Sequence, residues 1–197
     1  MTALLWTIAA YLIGSISFAI VLSKLFGMDD PRSYGSNNPG ATNMLRSGRK
    51  NVALLTLLGD ALKGFLPVFL AKQFTDLPEA PLSAIALAAF IGHLYPIFFQ
   101  FKGGKGVATF LGAILALSPL AGAFTLAAWL LVAFVTRYSS LASLTASLTA
   151  LLVLTALWGW GNWVIFSMVM VGLLFWRHRA NIAKLRSGSE SKLFKKS

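Results

Sequence analysis

The chain has no cysteine, and only six Asp and Glu stand against seventeen Lys and Arg. Without cysteine there is no disulfide, no thiolate nucleophile and no Cys-ligated metal, and the redox compartment stays open. The shortage of carboxylates excludes the acidic cluster that holds magnesium in phosphoryl-transfer enzymes. Asp29 and Asp30 are adjacent, but no other acid stands at a spacing that completes a metal site. No metal and no cofactor are therefore expected. Internal repeats and low-complexity runs are also lacking, and a single domain over residues 1–197 suffices.

What is abundant is apolar sequence. Hydrophobic residues make up 57% of the chain and the mean hydropathy is +0.73, above what one soluble core uses. Apolar segments fall at Leu4–Leu25, Val52–Ala71, Leu82–Phe101, Val107–Leu117, Leu120–Val135, Leu141–Trp158 and Trp163–Trp176. Several reach the ~20 residues that cross a hydrocarbon core. These segments predict an all-α polytopic membrane protein. The N-terminal stretch has no basic n-region and reads as a retained helix rather than a cleaved signal peptide. Val107–Leu117 gives only about 17 Å of helix, so it is either a short helix of its own or the first half of one kinked at Pro119.

The +11 charge decides between these options. On a soluble protein it would suggest nucleic acid; on a membrane protein it reports orientation, because Lys and Arg gather in cytoplasmic loops. Seven crossings with the N-terminus outside put fifteen of the seventeen basic residues on the cytoplasmic side, Lys195 and Lys196 of the tail among them. Asp76, Glu79 and the Trp-rich stretch 158–163 then face the other way. Merging 107–135 into one helix would export the basic tail. Seven helices, one or two of them short, with the C-terminus cytoplasmic, is the expected fold.

Three polar stretches emerge on that cytoplasmic face. In "GSNNPGATNMLR", residues 35–46, eight of twelve residues are Gly, Ser, Asn, Thr or Pro, and no acid is present. Successive backbone N–H groups in such a turn form an anion-holding nest. Ser36, Asn37, Asn38, Thr42 and Asn43 add donors, and Arg46 offers a forked pair to phosphate. "FKGGKG", residues 101–106, lets an anion approach the backbone at Gly103 and Gly104 beside Lys105. It lacks the pattern of a Walker A loop, but it stands where it would open a helix at 107, whose N-terminus would aim donors at an anion. In "RHRANIAKLRSGSE", residues 177–190, a helix would place His178 and Asn181 on one face. Read alone, each stretch is equally a polar loop or a basic amphipathic tail.

Polar residues inside the apolar segments carry a different meaning. Asp60 and Lys63 are three apart and read as a mutual pair holding the bundle. His93 reads as a packing histidine. The small residues of "RYSSLASLTASL", 137–148, suit close helix packing, with Ser143 alternatively lining a polar cavity.

The three polar stretches, in this order and spacing, resemble the bacterial acyl-phosphate:glycerol-3-phosphate acyltransferases of the inner membrane. "GSISFAIVLSKLFGMDDPRSYGSNNPGATNMLR", "GHLYPIFFQFKGGKGVAT" and "RHRANIAKLRSGSE" carry the resemblance over nearly the whole chain. It implies seven helices and transfer of a fatty acyl group from acyl phosphate to the 1-hydroxyl of glycerol 3-phosphate, without cofactor or metal. Lysophosphatidic acid and inorganic phosphate would be the products. Membrane lipid, and a soluble phosphate acyltransferase that forms the acyl phosphate, are the implied partners.

On this reading Ser36, Arg46, Lys105, His178 and Asn181 are catalytic. Ser36, Asn37, Asn38, Gly40, Thr42 and Asn43 hold the donor phosphate. Arg46, Gly103, Gly104, Lys105, His178 and Asn181 hold glycerol 3-phosphate. The base is either a donor phosphate oxygen or His178, and Glu190 is structural. Three positions depart from the family pattern: Ser17 for a frequent Pro, Asn37 for a usual Gly, and Lys184 for a common Arg. Asn37 tolerates a positive φ better than most residues. An organic-phosphate transporter is the competing class, since basic glycine-rich loops and an Asp–Lys pair also suit anion passage. Donors gathered on one face favour the enzyme.

Overall fold

The computed structural model describes residues 1–193, so Lys195 and Lys196 lie outside the described residues. The chain is all-α. Its helices are α1 (Thr2–Gly14), α2 (Phe18–Leu25), α3 (Ala41–Arg46), α4 (Lys50–Phe74) and α5 (Glu79–Leu94). After a 3₁₀ turn at Ile97–Phe99 come α6 (Val107–Leu117), α7 (Pro119–Thr136), α8 (Ser139–Trp158), α9 (Asn162–Arg177) and α10 (Arg179–Arg186). Among the described residues four helices are long and apolar enough to cross a membrane: α4, α5 with its 3₁₀ turn, α7 and α8. The bent pair α1–α2 makes a fifth if counted as one span, and α6 and α9 are shorter apolar helices. Leucines and phenylalanines along α4 and α7 face outward, as in a multi-pass membrane protein whose solvent is lipid.

The first apolar segment, expected as one helix, is two. It breaks at residues 15–17 and bends by 46°, although Ser17 stands where a proline would explain a kink. A break inside an apolar phase leaves carbonyls unpaired, and each needs a partner. Here Lys63 supplies it: Nζ donates to Ile16 O at 2.7 Å while pairing with Asp60 at 2.8 Å. Both side chains are buried. The pair thus holds α4 against the broken first span, as a bundle-holding pair would.

The Val107–Leu117 question is resolved by Ser118. It is extended (φ −142°, ψ 105°), and its hydroxyl caps α7 by accepting from Ala121 N at 3.2 Å. A Cβ on Gly122 would lie 2.7 Å from Leu115 Cα. Seven residues of continuous helix would separate those positions by about 10 Å. α6 and α7 therefore form a hairpin, not one kinked helix. Lys72 of α4 donates to Ala116 O and Leu117 O, closing the C-terminal end of α6.

α4 and α6 are the most closely packed pair. Cβ atoms on Gly64 and Gly112 would fall 2.1 Å from Thr109 O and 2.0 Å from Ala61 O, so backbone meets backbone. This is the small-residue approach by which helices associate where no hydrophobic force drives them. It sets the opening residues of α6 against the middle of α4. Gly112→Val is expected to lower the thermal unfolding midpoint in detergent, costing about 1–3 kcal/mol by forced overpacking. Gly172→Ala, where a Cβ meets nothing within 4 Å, is the control expected to leave the midpoint in place.

Candidate functional site

The 27–40 loop is shaped by one buried side chain. Asn43, at 1% exposure, donates to Pro31 O at 2.8 Å and Tyr34 O at 3.2 Å and accepts from Ser36 N at 3.0 Å. Gly35 has φ +61°, and a Cβ there would strike Asn43 Oδ1. Asn37 follows at φ 54°, the positive value that makes Asn a tolerable replacement for Gly. This corrects one expectation. The amide donors of Asn43 are committed to the loop's own carbonyls and are not free for a phosphate. Asp30, likewise, is engaged by the Arg32 guanidinium, which holds its carboxyl below the usual range.

The 102–106 loop is pinned from two sides. Gly104 N donates to His93 O at 3.2 Å. Arg177, at the end of α9, forks onto the carbonyls of Gly104 (Nε, 3.0 Å) and Gly103 (Nη2, 2.6 Å) and lies over the Tyr95 ring. Gly103 and Gly104 are buried by this clamp and stand off the cavity wall, with Gly104 N–H already engaged. α6 begins directly after the loop. Phe110 N is the first to donate backward, to Gly106 O at 2.7 Å, leaving the N–H groups of 107–109 without helical partners.

These segments enclose one cavity of about 350 Å³. Ser36, Asn38, Gly40, Thr42, Asn43 and Arg46 reach it from the first stretch, Lys105 from the second, and His178 and Asn181 from the third. Asn37 is exposed and off the wall. Ser143 lines the cavity too, but its hydroxyl is engaged, accepting from Trp129 Nε1 and donating to Ser139 O. Thr42 Oγ1 and Ser139 Oγ stand 3.2 Å apart, joining α3 to α8. Lys105 Nζ donates to Asn181 Oδ1 at 2.5 Å, Asn181 Nδ2 donates to Glu190 at 2.8 Å, and Ser140 Oγ donates to the same oxygen at 2.7 Å. Arg46 Nη2 reaches Ser191 O at 3.0 Å. Glu190 is thus the hub that ties the tail to α8 and α10.

The titrating groups are tuned by burial. Desolvation pushes Lys105 down to about 8, against the pull of the Glu190 carboxylate, with Arg46 and Arg177 adding to the fall. His178 is 2% exposed, and desolvation pushes it down to about 4. Its Nδ1 lies 2.8 Å from Leu174 O, so the neutral ring carries its proton there and leaves the Nε2 lone pair free.

Sequence reasoning missed several wall residues: Ser139, Ser140 and Ser147 of α8, Thr125 and Trp129 of α7, and Asp60 and His93. The serines had a signal, since 139, 143 and 147 recur every fourth residue and share one helix face. Arg177 had none, because its partners are more than seventy residues away.

A family model described as glycerol-3-phosphate acyltransferase matches residues 4–188. A glycerol-3-phosphate acyltransferase of Paraburkholderia phymatum is 55% identical over 197 residues, covering 98% of this chain and 93% of the relative. One of Burkholderia pseudomallei is 53% identical over 200 residues, covering 100% and 98%. Two crystal structures of PlsY (YgiH), an integral membrane glycerol 3-phosphate acyltransferase, are each 42% identical. The glycerol 3-phosphate form superposes with a TM-score of 0.94 over 99% of this chain and 96% of that one. The lysophosphatidic acid form gives 0.91 over 98% and 95%. By sequence along its length, and by fold, the chain belongs to the glycerol-3-phosphate acyltransferase family.

Proposed function

We propose that this protein transfers a fatty acyl group from acyl phosphate to the 1-hydroxyl of glycerol 3-phosphate, opening phospholipid synthesis at the cytoplasmic face of a bacterial inner membrane. The observation that carries the reading is the two-ended cavity. One end is lined by hydroxyls, amides, Arg46 and Lys105; the other is walled by Leu57 and Leu58 of α4 and Leu126 and Leu130 of α7. Those four leucines are all exposed, so the apolar end offers open hydrocarbon surface to an acyl chain. A substrate with a charged head and a long acyl chain suits both ends at once. In the proposed topology, a single domain crosses seven times, through α1–α2, α4, α5, α6, α7, α8 and α9, with the N-terminus outside. The distribution of basic residues supports that orientation.

In this scheme Ser36 Oγ, Asn38, Thr42 and the amides beside Gly40 hold the donor phosphate. Arg46, Lys105 and Asn181 hold glycerol 3-phosphate, with the open N-terminus of α6 contributing backbone donors. Acyl phosphate is already activated, and in aqueous compartments it would be supplied by a soluble phosphate acyltransferase. The glycerol hydroxyl attacks the acyl carbonyl carbon, the carbon–oxygen bond to phosphate breaks, and no covalent acyl-enzyme forms. His178 Nε2 accepts the hydroxyl hydrogen bond and aims the attacking oxygen. The hydroxyl proton moves onto Nε2 as the carbon–oxygen bond forms and from there to an oxygen of the departing phosphate, whose second pKa of about 6 makes it a stronger base than an imidazole at about 4. The rate gain comes from positioning and from fixed charge.

Purified protein should release inorganic phosphate from palmitoyl phosphate only when glycerol 3-phosphate is present, with activity reduced at least ~100-fold in Lys105→Ala. Uptake of labelled glycerol 3-phosphate into liposomes without turnover would overturn the reading in favour of a transporter. A phosphate burst without glycerol 3-phosphate would place a covalent intermediate on Ser36. Because the Lys105 ammonium is held at about 8, kcat/KM for glycerol 3-phosphate should fall as pH rises through that value. Lys105→Arg, charged throughout the range, should remove this alkaline limb.

A further inference from the structure

Arg177 closes α9, half-buried and off the cavity wall, and among the described residues both of its hydrogen bonds go to the loop beside it. Nη2 donates to Gly103 O at 2.6 Å and Nε to Gly104 O at 3.0 Å, while Cζ lies 5.6 Å over the Tyr95 ring centroid. A trans peptide sets its N–H opposite its C=O, and no peptide here is cis. Turning those two carbonyls toward Arg177 therefore turns the N–H groups of Gly104 and Lys105 the other way. Gly104 N–H is taken by His93 O at 3.2 Å. Lys105 N–H is not taken, and neither are those of Gly106, Val107, Ala108 and Thr109, so a run of successive amides lacks a partner among the described residues. Gly106, inside that run, is left-handed at φ +83°, and Lys105, Gly106, Val107 and Ala108 all line the cavity. Consecutive free amides passing through a left-handed residue make an anion-holding nest. A carbonyl swung into that nest would set its own partial negative charge against the anion.

We propose that Arg177 is a positioning residue for the acceptor substrate. It does not touch glycerol 3-phosphate; by holding the Gly103 and Gly104 carbonyls away from the cavity it keeps the 105–109 amides, and Lys105 with them, aimed at the phosphate. The task needs arginine. Carbonyls on two successive residues match two N–H groups of a planar fork, a spacing that a single ammonium does not reproduce. Tyr95 steadies the plane of that fork by cation–π attraction. Arg177 is also the chain neighbour of His178, which turns into the cavity where Arg177 turns to the loop. The last turn of α9 thereby ties the phosphate seat to the Nε2 that aims the attacking hydroxyl. This inference rests on the acyltransferase reading for the identity of the phosphate, and it adds a residue that the proposed scheme leaves without a role.

The test is steady-state kinetics on the full-length protein. Arg177→Lys keeps the charge and loses the fork, so charge alone and carbonyl alignment are separated. It should raise KM for glycerol 3-phosphate by about tenfold or more, as loss of hydrogen bonds made by a charged group does. KM for acyl phosphate, and kcat with both substrates saturating, should each change by less than about threefold, with the thermal midpoint retained. An unchanged KM for glycerol 3-phosphate in Arg177→Lys, or equal increases for both substrates, would overturn the proposal. If Arg177→Lys does not fold, the ring beneath it decides. Tyr95→Leu should raise KM for glycerol 3-phosphate about threefold where Tyr95→Phe, which keeps the ring, does not, and equal KM values for the two reject the role. If the wild-type protein shows no turnover, the acyltransferase reading fails by itself. Arg177 is then judged by calorimetric binding of inorganic phosphate. Weaker binding in Arg177→Lys than in wild type supports the role, and equal affinity, or no binding to the wild type, rejects it.

Discussion

Charge at the edge of a hydrocarbon phase must be neutralised where it lies, because distance and water offer little help there. The cavity meets this constraint by drawing donors from three stretches far apart in the chain. The Arg177 guanidinium fastens α9 to the carbonyls of the 102–106 loop, and His93 O fastens that loop to α5. Lys105, Asn181, Glu190 and Ser140 continue the chain of bonds to α8, and Thr42 with Ser139 closes it back to α3. Remove one tie and a cation or an amide loses its place. The site is a property of the tertiary network rather than of any one stretch.

The same economy governs the apolar interior. The bend at residues 15–17 leaves Ile16 O needing a donor, and Lys63 supplies one while its charge is balanced by Asp60. The short α6 is held against α4 by glycine-mediated backbone contact and closed at its far end by Lys72. Its near end is then free to present unpartnered N–H groups to the cavity. A long α6, or one continuous with α7, would not bring its N-terminus to the middle of α4. The fold-back at Ser118 is therefore as much a part of the site as Lys105.

What could be read in the sequence was what depends on neighbours along the chain. Apolar runs marked the helices, glycines and Asn37 marked turns, and the start of α6 after Gly106 followed from the loop before it. The break in the first span had no proline to announce it, because a serine takes an extended conformation as readily once a lysine from α4 pairs the freed carbonyl. Asn43 looked like a ligand donor because its partners, Pro31 and Tyr34, are backbone carbonyls that composition does not reveal. Gly103 and Gly104 looked like ligand contacts for the same reason, and Arg177 looked like one more tail cation. His93 and the α8 serines read as packing because a helix face has no meaning until its opposite wall is known.

The absence of native cysteine allows a direct test of convergence. Thr42 and Ser139 are replaced together by cysteine in the full-length protein in membranes, and the pair is exposed to mild oxidation. The account predicts rapid formation of an intramolecular disulfide, slowed by acyl phosphate, whose phosphate Thr42 is assigned to hold, with whatever turnover the reduced variant retains lost on oxidation and recovered with reductant. Failure to form that bond, or a cross-linked enzyme that turns over unimpeded, would contradict the claim that the first stretch and α8 meet around one substrate.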